Sequence, residues 1–154
     1  MEKKFELTEE FIINNSGIKL YRIKALKDFS DVKKGDLGGY VQQERNLSQF
    51  GNAWIYDNAK VYGDAWIYDN AWVCGNAKVC GNAKVFGDAK VFGNAKVFGD
   101  AWIYDNAWVY GDAWIYDNAW VCGNAKVCGN AKVFGDAQVY RDVIASGEHV
   151  YDTN

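Results

Sequence analysis

Residues 51–68 have the sequence GNAWIY DNAKVY GDAWIY, and the same six-residue pattern continues without an insertion to residue 140. The stretch holds 15 hexads with the consensus Gly/Asp, Asn/Asp, Ala, Lys/Trp, Val/Ile and Tyr/Phe/Cys. The flanking hexads are degenerate: RNLSQF at 45–50 keeps Asn46 and Leu47 in register, and RDVIAS at 141–146 keeps only Asp142. An unbroken short period of this kind is typical of a solenoid in which each repeat stacks on its neighbours.

The last four positions of a hexad alternate in character, as Ala59, Lys60, Val61 and Tyr62 show. Alternation with a period of two predicts a short strand with one buried face. We therefore place the Ala and the Val or Ile inside, and positions four and six outside. Because so short a strand cannot bury its inner face alone, we expect an all-β fold of stacked parallel coils. Stacked Val and Ala side chains make a narrow interior, so we expect no internal cavity for a ligand.

The first two positions of a hexad are predicted to form a corner. Position two is Asn or Asp in all 15 hexads. Since these residues tolerate a left-handed backbone best after glycine, we expect the left-handed residue there. Position one is usually Gly, which is preferred but not required, because Asp replaces it in four hexads: Asp57, Asp69, Asp105 and Asp117.

The rule aliphatic, x, x, Asn or Asp, small, x resembles that of the hexapeptide-repeat, left-handed parallel β-helix proteins. The resemblance covers residues 45–140, and it implies that three hexads make one triangular coil. It thus implies a single-stranded parallel β-helix, a hexapeptide-repeat β-solenoid of about five triangular coils and roughly 24 Å in height. We assign residues 45–146 to the solenoid and residues 147–154 to a C-terminal tail.

Residues 1–44 lack the hexad and are predicted to form a small N-terminal cap, because an exposed first coil would invite edge-to-edge pairing. We predict a short helix from Thr8 to Ile13 and a strand within 17–26. The segment YRIKALKDFSDVKKGDLGGYVQQERNLSQ resembles the N-terminal segment of a family of bacterial and phage hexapeptide-repeat proteins. That family supplies no functional residues for this chain. Gly38 and Gly39 mark either a tight turn or a close approach to a partner.

The sequence GDAWIYDNAWVCGNAKVCGNAKVF occurs at 63–86 and again, unchanged, at 111–134. The second copy begins eight hexads after the first, which is two coils of three hexads plus two further hexads. The two copies therefore fall on different faces of the triangle. This arrangement is typical of repeat expansion, or of construction from an engineered unit. It argues against a finely placed active site within the coils.

Charge and hydropathy exclude several classes of function. The net charge of −3, with 8 Lys or Arg against 12 Asp or Glu from residue 51 onward, argues against a nucleic-acid partner. No apolar run approaches the roughly 18 residues that a membrane helix needs, so we expect no membrane partner. The charged N-terminal stretch MEKKFELTEEF lacks the apolar region of a secretion signal, and we expect a cytoplasmic protein.

Few residues offer catalytic or metal chemistry. Acyltransferases of the resembling fold use a histidine base between subunits, often beside an inserted loop, whereas this chain has only His149 and no insertion between coils. One histidine cannot supply the zinc site of the fold's carbonic anhydrases. The four cysteines occupy outward positions, too far apart for a disulfide or a shared metal: Cys74, Cys80, Cys122 and Cys128. We expect free thiols, no catalytic residue, no metal and no cofactor.

The outer surface is the unusual feature, because eighteen aromatic side chains occupy outward positions, too many for scattered surface residues. We expect the rings to stack along the rungs with lysine stems across them, and some faces to be buried in a trimer or dimer. Alternatively, the rings form a binding surface for a nucleotide, a glycan or a partner protein. The candidate binding residues are Trp54, Trp66, Trp72, Trp102, Trp108, Trp114, Trp120, Tyr56, Tyr104, Tyr110 and Tyr116.

These observations favour a non-enzymatic structural or interaction protein that self-associates and is phage-encoded or an engineered repeat scaffold. One alternative is an acyltransferase-like enzyme whose site lies between subunits. The other is a binder that sequesters a small nucleotide or glycan ligand.

Overall fold

A computed structural model describes residues 2–141, 144–145 and 150–153. This part of the chain is all-β apart from one 3₁₀ helix at Glu44–Asn46, and the predicted single-stranded parallel β-solenoid is confirmed. The N-terminal strands are β1 (Phe5–Ile13), β2 (Lys19–Ala25) and β3 (Leu37–Val41). The solenoid strands are β4 (Trp54–Ile55), β5 (Lys60–Val61), β6 (Trp66–Ile67), β7 (Trp72–Val73), β8 (Lys78–Val79), β9 (Lys84–Val85), β10 (Lys90–Val91), β11 (Lys96–Val97), β12 (Trp102–Ile103), β13 (Trp108–Val109), β14 (Trp114–Ile115), β15 (Trp120–Val121), β16 (Lys126–Val127), β17 (Lys132–Gly135), β18 (Gln138–Val139), β19 (Ile144–Ala145) and β20 (Val150–Thr153).

The strands form three sheets, one for each side of the coil. The first sheet has the order β1-β2-β3-β5-β8-β11-β14-β17-β20, the second β4-β7-β10-β13-β16-β19, and the third β6-β9-β12-β15-β18. Solenoid neighbours pair in parallel at a spacing of three hexads, as Trp102 pairs with Trp120. The solenoid makes about six turns rather than five, because β3 pairs in parallel with β5 and Leu47 pairs with Ile67. The first turn therefore includes residues that lie before the regular hexads.

The interior matches the prediction from the alternating pattern. In the 15 hexads, every Ala of position three and every Val or Ile of position five is at most 4% exposed. The backbone pairs from turn to turn: the Trp102 amide donates to the Ala119 carbonyl and the Tyr104 amide to the Val121 carbonyl, both at 3.0 Å. All three sides of the prism are thus lined by the same two kinds of residue.

The corner differs from the prediction in one respect. The left-handed residue is position one in all 15 hexads, not position two, and Arg141 continues the series with a φ of 63°. Glycine is favoured at position one because it adopts a left-handed backbone without steric cost. The next turn also leaves little room for a side chain, since a Cβ on Gly99 would lie 2.8 Å from the amide nitrogen of Asp117. The expectation for position two was wrong because its backbone amide is needed for pairing: the Asn106 amide donates to the Gly123 carbonyl at 2.9 Å.

The N-terminal cap is a sheet extension rather than a helix followed by a strand. The helix predicted from Thr8 to Ile13 is wrong, because this segment belongs to β1, which pairs antiparallel with β2. Its Thr, Phe and Ile residues favour strands, and tertiary pairing decides the outcome. The strand predicted within 17–26 is confirmed as β2.

Gly38 and Gly39 lie in β3 and approach the chain's own backbone. A Cβ on Gly38 would lie 2.5 Å from the Ile55 carbonyl oxygen, and one on Gly39 would lie 2.5 Å from that of Ala59. Both glycines are buried. The two alternatives stated from the sequence, a tight turn and contact with a partner, are therefore replaced by close packing of β3 on the first solenoid turns.

A buried lysine joins the cap to the solenoid. The Lys4 side chain is fully buried, and its Nζ donates to the carbonyls of Ala53, at 2.7 Å, and Gly51, at 3.4 Å. The same ammonium group lies 5.0 Å from the centre of the Phe29 ring. Burial, together with the charge of Lys27, lowers the pKa of Lys4 to about 8.

Candidate functional site

The three sheets divide the candidate aromatic residues into three separate groups. Trp114 and Tyr116 belong to the first sheet. The second sheet carries Trp54, Tyr56, Trp72, Trp108 and Tyr110, and the third carries Trp66, Trp102, Tyr104 and Trp120. The structure therefore does not unite the predicted binding residues in one site, and each face has to be considered alone.

Trp54 occupies an outward hexad position in register with Trp72, but it is buried, so its prediction as an accessible binding residue is wrong. The side chain is 1% exposed because Phe5 and Phe29 cover it, with ring centres 6.3 and 5.3 Å away. Tyr56 is half-buried beside it, and its hydroxyl donates to Oδ1 of Asp31 at 2.8 Å. The chain from residue 5 to 31 folds back over this corner of the first turns, which no hexad position reveals.

Lysine ammonium groups cover most of the other tryptophans, as the sequence predicted. Lys90 lies between Trp72 and Trp108, with its Nζ 5.0 and 5.7 Å from the two ring centres. Trp114 has a lysine on either side, Lys96 at 5.2 Å and Lys132 at 5.0 Å. Each lysine stem thus stabilises a neighbouring rung through apolar and cation–π contact.

The position-six rings form stacked columns, which also agrees with the prediction. On the third sheet, Phe86 lies between Tyr68 and Tyr104, with ring centres 4.8 and 5.1 Å away and planes within 4° of parallel. On the first sheet, Tyr116 stacks in the same way on Phe98 and Phe134, at 4.9 and 5.2 Å. These rings therefore make most of their aromatic contacts with one another.

The third sheet differs from the other two in having exposed tryptophan rings with no lysine of the described part of the chain over them. We call its outward residues the aromatic face, and they are Trp66, Tyr68, Lys84, Phe86, Trp102, Tyr104, Trp120, Cys122, Gln138 and Tyr140. Trp66 is 41% exposed, Trp120 36% and Tyr140 46%. Trp108 on the second sheet is 37% exposed but has a lysine on either side. Among the described residues, no lysine or arginine lies over Trp66 or Trp120, whereas Lys84 lies 5.3 Å from the ring centre of Trp102.

A groove of about 530 Å³ runs along the aromatic face beside Trp102 and Trp120. These two rings are stacked, with centres 5.3 Å apart and planes within 8° of parallel. Asp100, Asn118 and Asp136 line the same groove. The groove therefore combines a flat aromatic wall with hydrogen-bonding side chains, which suits a ring-shaped polar ligand or a protein side chain.

A second groove, of about 620 Å³, lies where the aromatic face meets the cap. Trp66, Lys84 and the exposed Phe50 line it, and Arg45 pairs with Asp64 at its margin. Phe50 was not among the residues predicted from the sequence, because it lies in a degenerate hexad. The sequence feature that could have identified Phe50 is that RNLSQF keeps an aromatic residue at position six.

Two of the outward cysteines, Cys74 and Cys80, have thiols with a raised pKa. Burial, with a contribution from Asp57, raises the pKa of the Cys74 thiol to about 11, and burial also raises the pKa of Cys80. The four thiols are free and half-buried. Because the thiolate is the reactive form, Cys74 and Cys80 are poorly suited to covalent catalysis at neutral pH.

The described residues include no histidine, since the single histidine, His149, lies outside them. In the same part of the chain, no three His, Cys, Asp or Glu side chains are placed to hold a metal ion. The only helix described there has three residues, and none is long and apolar enough to cross a membrane.

No protein-family model matches the chain. A segment is similar to the uncharacterised acetyltransferase YdcK of Escherichia coli (strain K12), with 42% identity over 62 residues. The match covers 36% of this chain and 19% of that protein. The chain thus spans about a fifth of the length of this curated relative, and the likeness is that of one segment.

Proposed function

We propose that this protein is a non-enzymatic structural β-solenoid that self-associates through its aromatic face. The observation that carries the proposal is that Trp66 and Trp120 are exposed with no lysine of the described residues over either ring. Trp108 on the second sheet is about as exposed, but its ring lies between Lys90 and Lys126. Exposed tryptophan rings with no cation over them favour burial against a partner. The rigid stack beneath them holds the rings in a fixed array.

The order of residues along the aromatic face favours a second copy of the chain as that partner. From rung to rung, position four is Trp66, Lys84, Trp102, Trp120 and Gln138. A two-fold axis parallel to β12, between two facing copies of the aromatic face, would place Trp102 against Trp102 of the second copy. The same axis would place Lys84 against Trp120 and Trp66 against Gln138. Lys84 would then supply the cation that Trp120 lacks within its own chain. Two solenoids running in the same direction would instead bring the two Lys84 side chains together.

The test combines solution mass with site-directed cross-linking. Light scattering across a concentration series is expected to show a dimer. In a variant whose four cysteines are replaced by serine, Trp102→Cys is expected to cross-link efficiently with a short bis-maleimide reagent. A direct disulfide is not expected, because facing sheets pack about 10 Å apart and a disulfide needs Cα atoms within about 7 Å.

Trp114→Cys in the same background is the matched control, because Trp114 holds the same hexad position on the first sheet. It is expected to cross-link much more slowly than Trp102→Cys. A monomer at all concentrations would overturn the proposal. Equal cross-linking at both positions would place the contact elsewhere and would also overturn it.

Acyl transfer is the second candidate, and it is supported by the match to a segment of a protein named as an acetyltransferase. Its test is release of free coenzyme A from acetyl-coenzyme A, by the wild type and by His149→Ala, with oligomeric state as the control for folding. A small nucleotide or glycan in the groove beside Trp102 and Trp120 is the remaining alternative. It predicts a saturable change in tryptophan fluorescence in a monomeric protein.

A further inference from the structure

The first sheet carries three lysines in direct register. Lys60 pairs with Lys78, and Lys78 pairs with Lys96, so three positive charges stand on successive rungs. Rungs are about 4.8 Å apart, and like charges placed directly opposite each other in a sheet are unfavourable. Elsewhere on the solenoid, position-four lysines are separated along a sheet by tryptophan or lie next to one.

Lys78 is the exception among the seven lysines of the hexads. The other six lie over an aromatic ring, and even Lys60 has its Nζ 5.9 Å from the centre of the Tyr40 ring. Among the described residues, Lys78 has neither such a ring contact nor an ion pair. Burial, and then the charge of Lys78, lowers the pKa of Lys60. The pair therefore has an electrostatic cost that no ion pair within the described part of the chain offsets.

A pocket of about 220 Å³ lies over this pair. Lys60, Tyr62 and Lys78 line it from the solenoid, and the end of the β1–β2 hairpin lines it with Asn14, Asn15 and two isoleucines. No carboxylate of the described residues lines the pocket. The hairpin thus places polar side chains above two adjacent ammonium groups.

Backbone amides of the hairpin turn engage the side-chain oxygen of Asn14. Its Oδ1 accepts the backbone amides of Ser16 and Ile18, at 2.9 and 3.0 Å. The acceptor end of the side chain is therefore engaged, and among the described residues its Nδ2 donates to no protein group. The pocket is thus lined by the Asn14 Nδ2 group and by the ammonium groups of Lys60 and Lys78, of which Lys60 also donates to the Asn58 carbonyl at 3.2 Å. The Asn15 amide and the Tyr62 hydroxyl, which line it as well, can each donate or accept.

We propose that this pocket binds a phosphate-type oxyanion through Lys60 and Lys78. A phosphate group carries about −1.5 to −2 charge at neutral pH, which balances two adjacent ammonium groups, and it accepts several charge-assisted hydrogen bonds. The volume of about 220 Å³ admits an oxyanion or the phosphate of a phosphorylated small molecule. Because the pocket is on the first sheet, the proposal is independent of self-association through the third.

The experiment measures thermal stability and isothermal binding with inorganic phosphate on the full chain, at constant ionic strength. A ligand that binds the folded state alone raises the melting temperature in a saturable way. Lys78→Gln is expected to weaken phosphate binding about tenfold or more, as loss of a charge-assisted contact predicts. Lys126→Gln is the matched control, since Lys126 holds the same position on the second sheet but lies over Trp108.

Retained binding in Lys126→Gln together with loss in Lys78→Gln supports the proposal. Acetate serves as the monoanionic comparison, and it is expected to bind more weakly than phosphate. Absence of a saturable phosphate effect in the wild type overturns the proposal. Equal effects on both variants also overturn it, because they indicate a general ionic response rather than a site.

Discussion

Oδ2 of Asp105 accepts a hydrogen bond of 3.0 Å from the backbone amide of Gly123, one turn further along the solenoid. The other three Asp residues at position one do the same for the glycine one turn on: Asp57 for Gly75, Asp69 for Gly87 and Asp117 for Gly135. All four have a left-handed backbone, with φ between 57 and 60°. The carboxylate thus offsets the conformational cost of a residue that is not glycine.

Asp105→Ala is expected to lower the free energy of unfolding by about 2 kcal/mol, because it loses the hydrogen bond and keeps a left-handed Cβ. Asp105→Gly is expected to cost much less, since glycine adopts this backbone freely. Chemical denaturation of both variants measures the difference. Asp112→Ala, at a position two without a positive φ, is the control. Equal losses in the two Asp105 variants would contradict this account.

Gly99→Ala is expected to destabilise the protein by more than a left-handed alanine alone. The new Cβ would lie 2.8 Å from the amide nitrogen and 3.1 Å from the carbonyl oxygen of Asp117, so the adjacent turns must separate. Gly35→Ala is the matched control, because Gly35 also has a positive φ but a Cβ there would meet no atom within 4 Å. We expect the control to cost about 1 kcal/mol and Gly99→Ala at least about twice that. Thermal or urea unfolding of both proteins makes the comparison.

The buried ammonium group of Lys4 gives stability a specific pH dependence. Its pKa is about 8 in the folded protein against 10.5 in an unfolded chain, so between these values the unfolded state binds more protons. The free energy of unfolding is therefore expected to rise with pH across this window, relative to that of Lys4→Met. Urea titrations at several pH values measure the difference, which cancels contributions from tyrosine and cysteine common to both proteins. A difference that is constant with pH would contradict the assignment.

Cys74 is expected to react slowly with iodoacetamide. With a pKa of about 11, raised first by burial and then by Asp57, its thiolate fraction at pH 8 is about a hundredfold below that of an ordinary thiol. The rate is measured in a variant whose other cysteines are serine, and the same protein in denaturant is the control. A folded-state rate equal to the denatured rate would show that the thiol is neither buried nor perturbed.

Much of this architecture follows from the hexad alone. Alternation at positions such as Ala59 and Val61 predicts the buried interior, and the three-hexad coil implied by the resemblance predicts which rungs stack. The same spacing predicts that Lys90 meets both Trp72 and Trp108. These features are local in sequence or repeat at a fixed interval, so periodicity is sufficient to derive them.

Other features depend on contacts that periodicity does not contain. Trp54 has the sequence context of an outer residue, yet it is buried because Phe5 and Phe29 come from the cap. Residues 8–13 form a strand because β2 offers them a partner. The lysine pocket likewise depends on where the tip of the hairpin falls relative to Lys78. Each case joins segments of the chain that share no repeat.

The interior is lined by Ala and by Val or Ile on all three sides, and this sameness has a consequence for how such a chain changes over generations. Gaining or losing one hexad turns everything beyond it by a third of a revolution while leaving the hydrophobic core chemically unchanged. The length of the solenoid, and the side chains that each of its faces carries, can therefore change without changing the hydrophobic core on which folding depends. Replication slippage in the gene can sample new surfaces one hexad at a time, around an interior that stays the same.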